Sequence, residues 1–284
     1  MSCPLCDDTG WKAVDENGVR RLTRCDCWRD SLGQKHLDEA RIPPRYRKCD
    51  LDTFRDYDDS LVRALAKARQ LAQAFPVVDK GLLLLGAPGV GKTHLAIAVL
   101  KEVVKRTGAR ALFFDTRELL RLIRDTYNPV VRTTEIEVIR PVMDAELLVL
   151  DDLGAEKTSE WVDETLNLMI NTRYNQRLPT IITSNYPDQP PDPKSVVETL
   201  VERVGARMYS RLHEMCDFVT LGGIDYREAG PDPSREELSR LSQRGRLSTQ
   251  LPARAKGQAR AQLREPAARD GKGDLKWPGG RAGT

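Results

Sequence analysis

The residues best suited to chemistry in this chain are a glycine-rich segment that ends in a lysine and a threonine. Residues 86–93 read Gly-Ala-Pro-Gly-Val-Gly-Lys-Thr, which fits the spacing G-x-x-x-x-G-K-[ST] of a phosphate-binding loop. The glycines let backbone N–H groups close around phosphate oxygens, and the start of the next helix adds partial positive charge. The segment therefore predicts an ATP site made by Gly86, Pro88, Gly89, Val90, Gly91, Lys92, Thr93 and His94.

Two side chains of this loop have expected roles with ATP. Lys92 is placed to reach the terminal phosphates, and the Thr93 hydroxyl is placed to ligate Mg²⁺. An ordinary glycine-rich turn would leave the adjacent lysine and threonine unexplained. The loop also follows an apolar run and precedes a helix-like stretch, which is the context that this motif requires.

A pair of carboxylates supplies the acidic element that such a site needs. Asp151 and Asp152 directly follow the apolar residues 147–150, which is the form of a Walker B strand. We expect Asp151 to hold Mg²⁺ through water and Asp152 to act as the general base that polarises the attacking water. Acidic pairs at strand ends also form turns and helix caps. The phosphate loop favours the catalytic interpretation.

Further polar side chains extend this set. Asn185 follows the apolar run 180–183 and is placed to orient the lytic water, although Asn-Tyr-Pro is also an ordinary turn sequence. Arg207 and Arg211 lie at i and i+4 and so share one helix face. Arg227 follows the last predicted strand. Helix arginines are usually solvated, but phosphoryl transfer needs positive charge beyond one lysine and a metal ion.

The elements that must position these residues follow from hydrophobic patterning. Short apolar runs alternate with longer amphipathic stretches, which is typical of a parallel sheet covered by helices, an α/β fold. The predicted strands are 82–85, 111–114, 147–150, 180–183 and 218–221. The predicted helices include 94–106, 117–125, 160–177 and 195–213.

Composition divides the 284 residues into three zones. Residues 1–50 are rich in Cys, Arg and Asp and form a predicted small module; residues 51–229 form the main domain. Residues 230–284 are rich in Arg, Pro, Gly and Ala, so we expect a flexible, mildly basic tail. The net charge of +3 does not by itself indicate a polyanion partner. Neither a membrane span nor a signal peptide is apparent, so we expect a cytoplasmic protein.

Four of the six cysteines are crowded before residue 28. Cys3-x-x-Cys6 and Cys25-x-Cys27 have approximately the spacing of a zinc ribbon, and a segment with so little core needs a staple to fold. The second pair has one intervening residue instead of two, so His36 is an alternative ligand, and reduced cysteines without metal are the simplest alternative. We predict a four-thiolate Zn²⁺ site.

Taken together, these residues resemble an AAA+ P-loop ATPase of the DnaC/DnaI helicase-loader and IstB transposition-helper group. The resemblance covers roughly residues 41–227. It rests on Ile-Pro-Pro-Arg-Tyr-Arg at 42–47, the phosphate loop at 86–93, Asp-Asp-Leu-Gly at 151–154, Thr-Ser-Asn at 183–185, the arginine pair at 207 and 211, and Asp-Tyr-Arg at 225–227.

The resemblance implies a role for each matching residue. Asn185 would be the sensor-1 residue, Arg211 an arginine finger offered to a neighbouring subunit, and Arg227 the sensor-2 arginine that contacts nucleotide in its own chain. Arg207 would be a second finger. The departure is Asp152, where a Glu is more usual, although this subgroup often carries Asp. The shorter carboxylate implies slow hydrolysis, which suits a switch.

The resemblance also implies partners. DnaI-like loaders carry an N-terminal zinc module that engages the replicative helicase, so we expect a helicase loader that associates with copies of itself and touches single-stranded DNA. The stretch 117–140 offers Arg121, Arg124, Arg132 and Arg140 with Tyr127 among them, which fits single-strand binding or, equally, a solvated amphipathic helix. The alternatives are an IstB-type helper that binds duplex DNA and a transposase, and an adaptor that binds ATP without hydrolysing it.

Overall fold

The computed structural model describes residues 3–7, 9–16, 19–128, 130, 132–156, 159–190, 197–230 and 233–249. Its strands are β1 (Trp11–Glu16), β2 (Val19–Arg24), β3 (Gly81–Leu85), β4 (Ala111–Asp115), β5 (Leu147–Asp151), β6 (Thr180–Ser184) and β7 (Cys216–Thr220). Its helices are α1 (Asp26–Glu39), α2 (Asp59–Ala74), α3 (Lys92–Thr107), α4 (Thr116–Asp125), α5 (Glu135–Asp144), α6 (Glu160–Asn175), α7 (Leu200–Val204), α8 (Ala206–Met215) and α9 (Arg235–Thr249).

The fold is centred on a five-stranded parallel sheet with the strand order β4-β5-β6-β3-β7. Strands β3, β5 and β6 are buried along their whole length. Continuous burial explains why β3 is an unbroken apolar run and β5 is one up to Asp151, because a strand covered on both faces has no polar side. Strand β6, Thr-Ile-Ile-Thr-Ser, buries hydroxyl groups as well, and these are hydrogen-bonded. Two hydrophobic clusters lie on opposite faces, one built around α2 and α3 and the other around α4, α5, α6 and α8.

The predicted strands are confirmed to within two residues at each end, whereas one helix prediction needs correction. The stretch 195–213, predicted as one helix, contains α7 and α8. Gly205 separates them with a φ of +79°, a left-handed conformation that interrupts helical geometry and favours glycine. Residues 195 and 196 of this prediction lie outside the described residues. Among the described residues, the helices are too short or too polar for any to span a bilayer.

The N-terminal segment is a hairpin followed by a helix. Strands β1 and β2 pair antiparallel, with Trp11 opposite Arg24. Helix α1 then packs against α3, where a Cβ on Gly33 would lie 3.2 Å from the Val104 carbonyl oxygen. The Phe113 N–H of β4 also donates to the Ala40 carbonyl. Residues before the predicted boundary at residue 50 therefore already contact α3 and β4.

The segment predicted as a flexible tail begins with a helix, α9. A capping pair starts it, because the Ser234 side chain accepts from the Glu237 N–H while the Glu237 carboxylate accepts from the Ser234 N–H. Leu238 is fully buried, and Arg235 pairs with Asp56 at 3.6 Å. The capping pair is a short sequence signal, and the low hydrophobicity of the residues around it concealed the helix from sequence analysis. Residues 250–284 of the predicted tail lie outside the described residues.

Candidate functional site

A cleft of about 500 Å³ lies at the carboxyl ends of the parallel strands, where ligands of open α/β sheets bind. The phosphate loop connects β3 to α3 and forms its floor. The cleft brings together most of the residues predicted for nucleotide and metal, namely Pro88, Gly89, Val90, Gly91, Lys92, Thr93, His94, Asp151, Asp152, Asn185 and Arg227.

Two glycines of the loop are needed for its shape. Gly89 has a φ of +81°, and a Cβ there would lie 1.9 Å from an Asp225 carboxylate oxygen. Gly91 has a φ of +102°, and its Cβ would lie 2.8 Å from the Phe54 ring. Left-handed backbone and crowded surroundings together exclude a side chain at either position. Phe54, before the loop in the chain, and Asp225, after it, thus lie directly against the loop.

Lys92 lies at the start of α3 and is buried. Its ammonium donates to the carbonyls of Gly86 and Ala87, each at 2.8 Å, and to Asn185 Oδ1 at 2.7 Å. Burial lowers the pKa of Lys92 to about 8, and the nearby carboxylates of Asp152 and Asp151 oppose this shift. The ammonium therefore lies within the loop that is predicted to cradle phosphates.

A hydroxyl and a carboxylate suited to Mg²⁺ lie next to Lys92. Thr93 Oγ1 donates to Asp151 Oδ1 at 2.9 Å, and Thr183 Oγ1 donates to the same oxygen at 2.6 Å. Burial raises the pKa of Asp151, while the two hydroxyl hydrogen bonds partly offset that rise. Oxygen ligands in this combination are those that Mg²⁺ takes in proteins. The residues present fit the ion.

The second carboxylate of the pair points to different partners. Asp152 has a φ of +59°, an uncommon conformation for a residue other than glycine. Its Oδ1 accepts from Asn185 Nδ2 at 2.5 Å, so Asn185 bridges Lys92 and Asp152. Its Oδ2 accepts from the Arg117 guanidinium at 2.7 Å. Sequence reasoning missed Arg117, because nothing in the spacing shows that α4 begins beside the end of β5.

One wall of the cleft comes from the stretch that precedes α2. The residues that line this wall are Arg45, Tyr46, Cys49, Thr53 and Phe54. Phe54 meets the His94 ring edge-on with the ring centroids 5.5 Å apart, and burial lowers the pKa of His94. The sequence signal for this wall was the Pro-Arg-Tyr run near residue 45, which entered our prediction only as part of the family resemblance.

The predicted finger arginines lie elsewhere. Arg207 and Arg211 on α8 line a surface groove against the acidic residues Glu160, Asp163 and Glu164 of α6. Neither is among the described residues that line the nucleotide cleft of the same chain.

The four N-terminal cysteines converge. All four Sγ atoms lie within 4.8 Å of one another, with Cys3 and Cys25 at 3.8 Å and Cys6 and Cys27 at 3.2 Å. A tetrahedron with Zn–S bonds of ~2.3 Å has S···S edges of about 3.8 Å. The sulfurs therefore fit Zn²⁺. The alternative ligand His36 instead places Nδ1 2.7 Å from the Gly108 carbonyl oxygen.

Comparisons with known proteins agree with this architecture. A family model described as IstB-like ATP binding protein matches residues 22–230. The replicative helicase loader DnaC of Escherichia coli strain K12 is 25% identical over 179 residues, which cover 63% of this chain and 69% of that protein. The replicative helicase loader DnaI of Bacillus subtilis is 33% identical over 167 residues, covering 56% of this chain and 52% of that protein.

A solved structure also shares the fold. The crystal structure of the DnaC helicase loader matches with a TM-score of 0.56 and 36% identity, covering 63% of this chain and all of that one. The similarity extends over the part of the chain that carries the sheet and the cleft. It confirms the parallel α/β fold predicted from the alternating strands and helices, and the AAA+ class that the family resemblance implied.

Proposed function

Because the chain belongs to the family of IstB-like ATP-binding proteins, we propose that it is an ATP-dependent loader of a replicative DNA helicase. The observation that carries the proposal is the similarity of its cleft-bearing body to proteins named helicase loaders. The four-sulfur module ahead of that body supports a loader over an IstB-type transposition helper, since it offers a dedicated surface for a further protein.

Nucleotide binding and slow hydrolysis would be divided among the residues of the cleft. Lys92 and the loop amides bind the phosphates, and Thr93 and Asp151 hold Mg²⁺, which supplies charge neutralisation. Asp152 accepts the proton of the attacking water, and Asn185 orients that water. The Asp152 carboxylate is short and already engaged by two donors, which favours a switch with slow turnover over a motor.

Self-association would complete the site. Arg211 lies on a surface apart from the cleft of its own chain, and a finger offered to the next copy uses this placement. Arg227 lines the cleft, which suits contact with nucleotide in the same chain. A mixture of Arg211→Ala and Asp152→Asn proteins should then recover turnover that neither has alone, because each supplies what the other lacks.

Contact with single-stranded DNA is supported by an aromatic cluster. Tyr127 and Trp161 meet edge-on with the ring centroids 6.3 Å apart, and the Arg124 guanidinium lies 4.8 Å from the centroid of the Trp161 ring. Tyr127 is 54% exposed. Exposed aromatic rings beside guanidinium groups are what sequence-tolerant single-strand binding uses. Trp161 was not predicted from the sequence as part of this cluster, because Trp161 lies 34 positions from Tyr127 and only the packing of α6 brings the two together.

The helicase contact is assigned to the hairpin β1–β2. Trp11 and Leu22 are 45% and 72% exposed, and their register places both on one face of the hairpin. Charge is mixed there, with Arg20 opposite Asp15 and Arg24 opposite Trp11. An apolar surface with mixed charge should keep its contact in moderate salt better than a DNA contact does.

Retention of the cognate replicative helicase by the full chain tests the proposal. The wild-type protein should retain the helicase, and Leu22→Asp should lose most of that retention while still binding ATP, because a carboxylate disrupts an apolar contact. Val77→Asp is the matched control, since Val77 is 86% exposed on the ATPase body. Unaltered retention by Leu22→Asp, or capture of a transposase on duplex DNA by the wild type, contradicts the proposal.

A further inference from the structure

The wall of the cleft that faces the phosphate loop is built from turns. Segment 45–54 begins within the short 3-10 helix Pro44–Tyr46 and continues towards α2 through turns and irregular residues. It nevertheless supplies five of the residues that line the cleft, including Tyr46 and Phe54. A segment of turns has few backbone bonds of its own, so other groups must hold it in place.

Lys101, on α3, is one such group. Its side chain is 10% exposed, although a lysine is rarely buried. Its ammonium donates to the carbonyls of Arg47 and Cys49, both at 2.7 Å, and lies 2.9 Å from Asp50 Oδ1. An ammonium has three N–H donors, so these acceptors use all of them. All three acceptors belong to segment 45–54, and one of them, Cys49, itself lines the cleft.

The same helix supports the segment again nearer the phosphate loop. His94 Nε2 lies 3.1 Å from the Asp50 carbonyl oxygen and 3.3 Å from Thr53 Oγ1. Lys105, one turn beyond Lys101, lies 3.4 Å from Asp50 Oδ1 but is 53% exposed. Burial alone would raise the pKa of Asp50, but the two lysines outweigh it and the pKa lies below its ordinary value. Helix α3 thus carries both the phosphate-binding residues and the supports of the opposite wall.

We infer that Lys101 is a positioning residue for nucleotide binding, which fixes segment 45–54 against the phosphate loop from the far side of that segment. The phosphates lie at the start of α3, so the wall meets the part of the nucleotide beyond them, the nucleoside. Loss of Lys101 leaves the buried Cys49 carbonyl and the partly buried Arg47 carbonyl without their donor and releases the wall. This inference rests on the proposed nucleotide site and adds a residue that does not line the cleft.

The test compares two ligands in calorimetric titrations of the full chain. Mg²⁺-ATP contacts both the loop and the wall, whereas inorganic tripolyphosphate with Mg²⁺ contacts the loop alone. Lys101→Met keeps the length of the side chain and removes its donors. It should weaken ATP binding about tenfold and leave tripolyphosphate binding within about twofold. Lys105→Met, on the next turn of the same helix, should change neither affinity.

The outcomes separate a positioning role from a general structural one. Equal weakening for both ligands, or no weakening for either, overturns the inference. Should Lys101→Met fail to fold, Asp50→Asn is the second variant. It keeps both carbonyl contacts of Lys101 and removes the ion pairs with Lys101 and the more exposed Lys105, and it should give a smaller loss for ATP alone. An equal loss for both ligands, or none, again overturns the inference. A wild-type chain that does not bind ATP overturns the proposed function as well, which distinguishes the two failures.

Discussion

The cleft-bearing body and the N-terminal hairpin place their functional groups by different physical means. The body surrounds its cleft with strands β3, β5 and β6, which are buried along their whole length. In the described part of residues 3–25, the buried hydrophobic side chains are those of Cys6 and Cys25. Packing therefore positions the nucleotide site, while convergence of four sulfurs positions the hairpin.

This difference predicts different responses to damage. A packed body loses stability gradually as contacts are removed, because its free energy of folding is spread over many side chains. A small module held by a metal loses its structure at once, because the free energy of metal binding is its free energy of folding. We therefore expect that the hairpin and the cleft-bearing body can be disrupted separately. Four experiments test this expectation.

Removal of zinc should have the largest effect. The purified protein should contain about one equivalent of Zn²⁺. Chelation should unfold the hairpin, so that trypsin cleaves after Arg20, Arg21 and Arg24, while the body keeps its ATP affinity. Structural zinc contributes about 10 kcal/mol or more to such modules. Cys25→Ala should do the same, whereas Cys49→Ala, outside the cluster, should keep its zinc. A hairpin that resists trypsin without metal would falsify the zinc site.

Loss of a buried arginine should be the next largest effect, confined to the body. Arg173 is fully buried, and its guanidinium donates to the carbonyls of Val142, Ala145 and Pro179 and to Thr180 Oγ1. Burial lowers its pKa to about 9. Arg173→Met should reduce the free energy of unfolding by about 3 kcal/mol in urea, since four acceptors lose their donor.

The exposed neighbour Arg177 supplies the control for that experiment. Arg177→Met should change the unfolding free energy by less than about 0.5 kcal/mol. Zinc content should stay the same in both variants, because neither contacts the hairpin. A stability of Arg173→Met equal to that of Arg177→Met would show that the buried guanidinium adds nothing to the body.

Within the cleft, Asp152→Asn should lower ATP turnover by about 10²-fold and leave ATP affinity close to that of the wild type, since it removes a proton acceptor and no phosphate contact. Lys92→Ala should instead abolish tight binding, because it removes the ammonium in the loop. Turnover and affinity measured in parallel check both. Equal loss of affinity in the two variants would remove the assigned distinction between them.

The smallest effect should be on DNA. Trp161→Ala should weaken binding of single-stranded DNA by about 1–3 kcal/mol, the range for one stacked base, and should leave ATP turnover without DNA unchanged. Fluorescence anisotropy with a labelled oligonucleotide measures the affinity. Trp28→Ala, which removes a tryptophan of α1, is the control. DNA affinity that is the same in both variants and the wild type would place the DNA contact elsewhere.

Much of the fold was predictable because the central strands contain short apolar runs separated by amphipathic stretches. The phosphate loop and the carboxylate pair were equally predictable from spacing, and the structure places Lys92, Asp151 and Asn185 in one cleft. Helix α5 escaped prediction, since Pro141 lies inside it and breaks the expected pattern. Helix α2 escaped because much of its buried face is alanine, at Ala64, Ala68 and Ala72.

The contacts that sequence reasoning missed join elements distant in the chain. Arg117 reaches Asp152 across 35 positions, and Lys101 reaches Arg47 across 54. Each is an unremarkable charged residue on a helix until the packing shows its partner. Local patterns report periodicity and motif spacing, whereas such pairings depend on how helices are set against the sheet.

Deposition of the helicase on DNA tests the central claim most directly. The cognate replicative helicase is incubated with circular single-stranded DNA, ATP and this protein, and the helicase that stays on the circles after removal of free protein is measured. We predict severalfold more DNA-bound helicase with the wild-type protein than with the helicase alone, and no increase with Lys92→Ala. An equal amount of DNA-bound helicase with and without a wild-type protein that binds ATP would contradict the account.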